Sequence, residues 1–383
     1  MNTWASLAAA TCVVLGAAGF LTPAGRAERE TDPRAKSIDG IFSSLISPAE
    51  PGAAVLVIED GRVAFERGYG VTDLRARRPV DARTNFRLAS VTKQFTAAAV
   101  MLLVRDGRLG YDDPLGRVFP DFPEYGRTIT IRQLLNHTSG LPDYEELMPA
   151  GDPSVPVEQT QIRDAGVLDL LKRQKAAKFS PGAKWDYSNS GYVILGLVVE
   201  KVSGTPFGKF LHDRVFNPLR MGCTVAYERG QNEVPSRAFG HTREAGVWHE
   251  TDQSPTSATL GDGGVYSSLA DLARWDESLR RHSLLSAADM EPALTPVQTT
   301  AGAPVEPDGT PAAYGFGWFL NPWKGRARMW HSGETIGFRT AIQRFPADGL
   351  TVIVLANRAD LDAPRLALKT ADLCLAEGRI PGR

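Results

Sequence analysis

Two stretches of the chain carry paired apolar runs broken by turn residues. In residues 51–70 (PGAAVLVIEDGRVAFERGYG) the runs flank Asp60-Gly61, which predicts an antiparallel hairpin. Near the other end, TAIQRFP and LTVIVLAN flank Ala347-Asp348-Gly349 and predict a second hairpin, followed by an Ala/Leu-rich helix over 364–377. The two ends are expected to share one sheet. Between them the periodicity is helical, over 90–106, 131–136, 165–172, 192–202, 206–216 and 269–281, with loops rich in Pro and Gly. The pattern predicts an α/β (α+β) fold: a sheet body over 28–105 and 306–383, interrupted by a mostly helical insert over 106–305. Residues 299–311 are the most linker-like and mark the return into the sheet.

Residues 4–21 carry no charge and meet the small residues Ala24, Gly25 and Ala27 before a charged stretch. That order predicts a secretory signal peptide over 1–27, cleaved near Ala27, and hence an exported, periplasmic or secreted chain. The basic residues Arg26, Arg29, Arg34 and Lys36 follow the apolar run rather than precede it. This leaves an uncleaved membrane anchor as the alternative. Cys12 reads as a small residue inside the segment, since Thr11 before it does not suit lipidation.

The 383 residues suit one large fold or two joined halves. Lys plus Arg (43) nearly balance Asp plus Glu (44), so nothing favours a nucleic-acid partner. With only Cys12, Cys223 and Cys374 there is no disulfide framework and no zinc-type spacing; pairing of Cys223 with Cys374 stays open. His241 and His249, eight apart in an expected loop, lack the carboxylate context of a metal site, and no metal or cofactor is expected.

Chemistry concentrates in three places. Ser90 and Lys93 open a predicted helix three residues apart, which puts them on one face with the amine in reach of the hydroxyl. The apolar FTAAAVMLLV behind them marks a buried helix, not a solvated one. Tyr187 and Asn189 sit in a loop ahead of another helix; a phenol beside a lysine can relay protons and an amide can hold a substrate carbonyl. His331-Ser332-Gly333 falls where a strand precedes the C-terminal hairpin.

The order Ser-x-x-Lys, Tyr-x-Asn, His-Ser-Gly resembles the serine β-lactamase and penicillin-binding protein superfamily, in its class C β-lactamase-like branch with DD-carboxypeptidases, D-aminopeptidases and esterases. The resemblance extends through FRLASVTKQFTAAA from Phe86, ITIRQLLNHTSGLPDY ending at Tyr144, YSNSGY from Tyr187, GDGGVYSS from Gly261 and GFGW from Gly315. It implies a β-lactamase-like antiparallel sheet sandwiched by helices, with the site between sheet and helical insert. It further implies Ser90 as acylated nucleophile, Lys93 as its proton acceptor, and Tyr187 as the proton exchanger in acylation and deacylation. Asn189, His331, Ser332 and Gly333 would contact the substrate, with Gly333 leaving room for its backbone. The backbone N–H groups of Ser90 and Glu334 would form the oxyanion hole.

One departure bears on substrate. Many β-lactamases carry Lys where this chain has His331, and a histidine offers no permanent cation to a substrate carboxylate. That points to amide or ester hydrolysis of D-amino-acid peptides or small esters, with a true class C-type β-lactamase as the near alternative. A penicillin-binding receptor that acylates without turnover is the alternative of another class. The other reading of His331 is a buried histidine closing a hydrogen bond in the sheet. The expected partner is a small-molecule or peptide substrate, with membrane contact only through an N-terminal anchor and no oligomeric state fixed. His137 and Asp262 read as structural, and Tyr144, Trp185, Tyr266 and Trp330 as either cleft wall or core.

Overall fold

The computed structural model describes residues 33–149, 154–305 and 312–376; the apolar N-terminal segment, and with it the signal-peptide expectation, lies outside the described residues. In chain order the strands are β1 (Ala53–Glu59), β2 (Arg62–Tyr69), β3 (Phe86–Arg87), β4 (Val225–Ala226), β5 (His241–Glu244), β6 (Val247–Glu250), β7 (Val265–Ser267), β8 (Met329–Thr335), β9 (Phe338–Phe345) and β10 (Leu350–Ala356). Both chain ends do meet in one antiparallel sheet, ordered β2-β1-β10-β9-β8, with β1 paired to β10 from Ala53↔Ala356 to Glu59↔Leu350. The β1–β2 turn has positive φ at both Asp60 (49°) and Gly61 (78°), the backbone that fits the twist of a two-residue hairpin.

β1 and β10 are continuous apolar runs because both of their faces are covered. Ala53, Val55 and Val57 pack into one core with Ile38, Phe42, Leu366 and Ala367 of the terminal helices Pro33–Ser43 and Ala363–Ala376. Their alternates Ala54, Leu56 and Ile58 join the larger core of the helical segment. The sheet is thus sandwiched by helices.

At the centre of that core runs the helix Lys93–Arg105, buried from Lys93 to Leu103 and packed on Asn189–Ser203. Asn189–Ser203 begins three residues before its apolar periodicity, because Ser188 caps it by accepting the Gly191 N–H at 3.1 Å. A small sheet, β3-β7-β4, ties the chain entering Ser90 to the one leaving the GDGG turn.

Two expectations change. The helix expected over 206–216 is α-helical only over Phe207–Leu211 and continues as a π-turn over His212–Phe216, where Asn217 N–H bonds five residues back to His212. His241 and His249 lie not in a loop but on the β5–β6 hairpin, where Thr242 faces His249. That hairpin is mostly exposed, Val247 to 58%, so it lacks the apolar alternation that marks a half-buried strand. Its signal is the turn instead, with positive φ at Ala245 and Gly246. Among the described residues no helix is long and apolar enough to cross a membrane.

Candidate active site

Ser90 is delivered by a strained approach. Leu88 is buried, its N–H bonded to Val265 O of β7 at 2.9 Å and its carbonyl accepting Thr340 Oγ1 of β9 at 2.8 Å. Ala89 then adopts φ +48°, a left-handed conformation that a residue with a Cβ holds only when its surroundings over-determine it. The chain turns into one 3-10 turn, Ala89–Thr92, before the helix begins at Lys93. Ala89, Val91 and Thr92 of that turn are buried and Ser90 alone is partly exposed.

Lys93 is fully buried, and its ammonium meets three oxygens: Ser90 Oγ at 3.1 Å, Asn189 Oδ1 at 2.8 Å and the Asp262 carbonyl at 3.0 Å. These match the three N–H donors of a lysine. As a free amine Lys93 would keep its bonds to Asn189 and Asp262 and turn its lone pair to the Ser90 hydroxyl. The tyrosine rings of Tyr187 and Tyr192 close the remaining sides, 4.9 and 5.5 Å from Nζ to the ring centres. Tyr187 thus meets the lysine through its ring face.

Tyr187 belongs to an aromatic wall. His137 lies 4.3 Å from it, Phe319 stacks parallel to it at 6.4 Å, and Phe319 in turn stacks on Trp330 at 4.6 Å. Of the four flanking aromatics, Trp185 and Trp330 pack in this wall, whereas Tyr144 and Tyr266 are buried in the main core. His137 is a packing residue: fully buried, it accepts the Ser188 N–H at Nδ1 (3.1 Å), and burial first, then the Lys93 charge, holds its conjugate acid well below the usual range.

His331 is 2% exposed. Its Nδ1 lies 2.6 Å from the Ser332 carbonyl, which can only accept, so Nδ1 carries the proton and Nε2 accepts the Tyr314 hydroxyl at 3.1 Å. Burial, reinforced by Lys93, holds its conjugate acid down to about 3, so the ring is neutral at physiological pH. Both nitrogens are engaged by the protein.

β8 forms the edge of the sheet. Trp330 exchanges both backbone bonds with Phe319 on the side away from β9, at 2.9 and 2.8 Å. Bond direction alternates along an antiparallel strand, so Ser332 and Glu334 also turn their N–H groups off that edge. Gly333 lies close against the protein's own backbone. A Cβ there would stand 2.1 Å from Leu88 O and 2.4 Å from Thr340 Oγ1, so the glycine is required by the segment that leads into Ser90.

Residues that sequence reasoning missed complete the site. Asp143 receives the N–H of Glu145 at 3.0 Å and that of Asn189 at 3.1 Å, pinning the loop that carries Asn189. Glu145 Oε1 accepts Asn189 Nδ2 at 3.3 Å, so the amide is held at both ends. Burial pushes both carboxyls upward, Asp262 adds to the effect in each, and Lys93 opposes it. Asp262 accepts the Tyr144 hydroxyl at 3.0 Å, a structural role. The available signal was Asp143 ahead of Tyr144–Leu147, an Asx helix cap. Among the described residues no cluster of His, Cys, Asp and Glu is arranged to hold a metal ion.

The β-lactamase family model matches residues 38–377. The chain is 33% identical over 354 residues to penicillin-binding protein 4* of Bacillus subtilis, across 88% of this chain and 75% of that protein. Among solved structures it is similar to the octameric penicillin-binding protein homologue from Pyrococcus abyssi, with a TM-score of 0.74 at 26% identity over 93% of this chain and 78% of that one. It is also similar to D-amino acid amidase from Ochrobactrum anthropi, with a TM-score of 0.73 at 25% identity over 90% and 97% of the two chains. The chain belongs to the β-lactamase family.

Proposed function

We propose that this protein is a serine acyl hydrolase that cleaves amides or esters, D-amino-acid peptides or small esters among them, through a covalent acyl-Ser90 intermediate. The observation that carries the reading is the buried amine of Lys93 at 3.1 Å from the one partly exposed side chain of its turn, Ser90. In its free-amine form Lys93 accepts the hydroxyl proton as Oγ bonds to the substrate carbonyl carbon. The carbonyl electron pair moves onto oxygen, where the N–H groups of Ser90 and Glu334 stabilise it. Collapse of this adduct expels the amine or alkoxide, which takes the proton from Lys93. Water then attacks the ester through the same groups in reverse order. Asn189 holds the acyl amide.

The neutral, buried state of His331 favours this reading over a β-lactamase that grips a carboxylate, since the third motif offers no cation. Turnover of p-nitrophenyl acetate, D-alanyl p-nitroanilide and a chromogenic cephalosporin by purified protein tests it. Multiple turnovers of the ester or the D-aminoacyl amide, with little on the cephalosporin, are expected. A stoichiometric burst followed by silence on all three would replace the enzyme with the acylating receptor.

A further inference from the structure

A cavity of about 250 Å³ lies between the helix Leu269–Arg281, the segment leading to Leu294 and the strands β8, β9 and β10. It contains none of the catalytic-site residues named above. Its walls are apolar: Leu279, Met290, Leu294, Met329 and Phe345. Arg344 also lines it and is only 7% exposed.

The hydrogen bonds of Arg344 are incomplete. Its Nε donates to Asp276 Oδ1 at 2.6 Å, an oxygen already taken by Thr351 Oγ1 at 2.7 Å. Nη1 finds only the thioether sulfur of Met329, at 3.4 Å, a weak acceptor. Among the described residues no oxygen accepts from Nη1 or Nη2. Arg280 and His282 also line the cavity, and Asp276 is the one carboxylate among its lining residues.

We propose that this cavity is a binding site for a small amphipathic carboxylate. The two terminal nitrogens of a guanidinium match the two oxygens of a carboxylate. An apolar tail on the ligand would cover the Leu, Met and Phe walls. A cavity of about 250 Å³ suits a short-chain or single-ring acid. A bare phosphate would leave the walls unmatched, and a neutral alcohol would offer Arg344 one uncharged oxygen in place of two sharing a negative charge.

The test uses sodium hexanoate on the full chain, read by the methyl NMR signals of Met290 and Met329 and by calorimetry. Saturable binding with Kd below about 1 mM, at least about ten-fold tighter than 1-hexanol, is expected. Leu294 stands at the rim and is 40% exposed, so Leu294→Glu should leave folding intact and weaken hexanoate about ten-fold by charge repulsion. Met290→Trp fills the cavity and should abolish binding, and Ser90→Ala should leave it unchanged. No saturable methyl shift, equal affinity for the alcohol, indifference to Leu294→Glu, or loss in Ser90→Ala would each overturn the proposal.

Discussion

Gly333 and Leu88 are in backbone contact: a methyl group at 333 would meet the Leu88 carbonyl oxygen at 2.1 Å, two residues ahead of Ser90. The same oxygen accepts Thr340 Oγ1, so neither partner can yield without losing a buried bond. Gly333→Ala should therefore push β8 away from the Ser90 turn and separate the N–H groups of Ser90 and Glu334, the proposed oxyanion hole. A displacement near 1 Å can cost about 100-fold in rate. A fall in kcat/KM of that order, with a protein that still folds cooperatively, is expected; unchanged kinetics would show that the contact does not position the site.

Lys93 has no spare donor, since its three protons meet three acceptors. Lys93→Met should cut kcat by at least about 100-fold, the scale of a lost general base. It should also cost roughly 1–3 kcal/mol of stability by orphaning Asn189 Oδ1 and the Asp262 carbonyl. Lys93→Arg should not rescue the rate, because a guanidinium does not give up its proton. Parallel kinetics and urea unfolding of the two variants would check both halves.

Asp143 links the Tyr144–Leu147 turn to the start of the Asn189 helix through one carboxylate. Asp143→Ala should free the Asn189 loop, lower thermal stability by about 1 kcal/mol as a lost cap does, and raise KM more than it lowers kcat. Asp143→Asn keeps an acceptor for one of the two N–H groups and should recover part of both effects. An Asn variant no better than Ala would assign the effect to charge, not to capping.

His331 gives a signed pH dependence. Its conjugate acid falls from 6.5 in the unfolded chain to about 3 in the folded one. Between those values the unfolded chain binds a proton that the folded chain refuses, so stability is lost as pH drops below about 6.5 and is fully present above it. The slope from this one group is up to ~1.4 kcal/mol per pH unit. His137 acts in the same direction. Urea unfolding near pH 5 and near pH 7 should show the wild type weaker at the lower pH, and His331→Gln should flatten the difference. A variant with an undiminished slope would contradict the burial account of His331.

The sheet was readable because its signals are local: Asp60-Gly61 between apolar runs, and the run of Leu350 to Ala356 that both cores require. Ser90 and Lys93 were readable for the same reason, as three residues on a helix fix their neighbourhood. The carboxylates around Asn189 were not, because Glu145 reaches it across 44 positions of chain and only folding brings them together. Nor was the reason for Gly333, which depends on a carbonyl 245 residues earlier. The β5–β6 hairpin escaped because polar, exposed strands carry no alternation to detect, leaving only a two-residue turn as evidence of pairing.

The most direct measurement is the site of acylation. Purified protein exposed to p-nitrophenyl acetate, quenched in acid and mapped by peptide mass spectrometry, should carry one acetyl group on the peptide containing Ser90, and Ser90→Ala should carry none and turn over no substrate while unfolding at the same urea concentration as the wild type. An acetyl group on another residue, or sustained turnover by folded Ser90→Ala, would contradict the account.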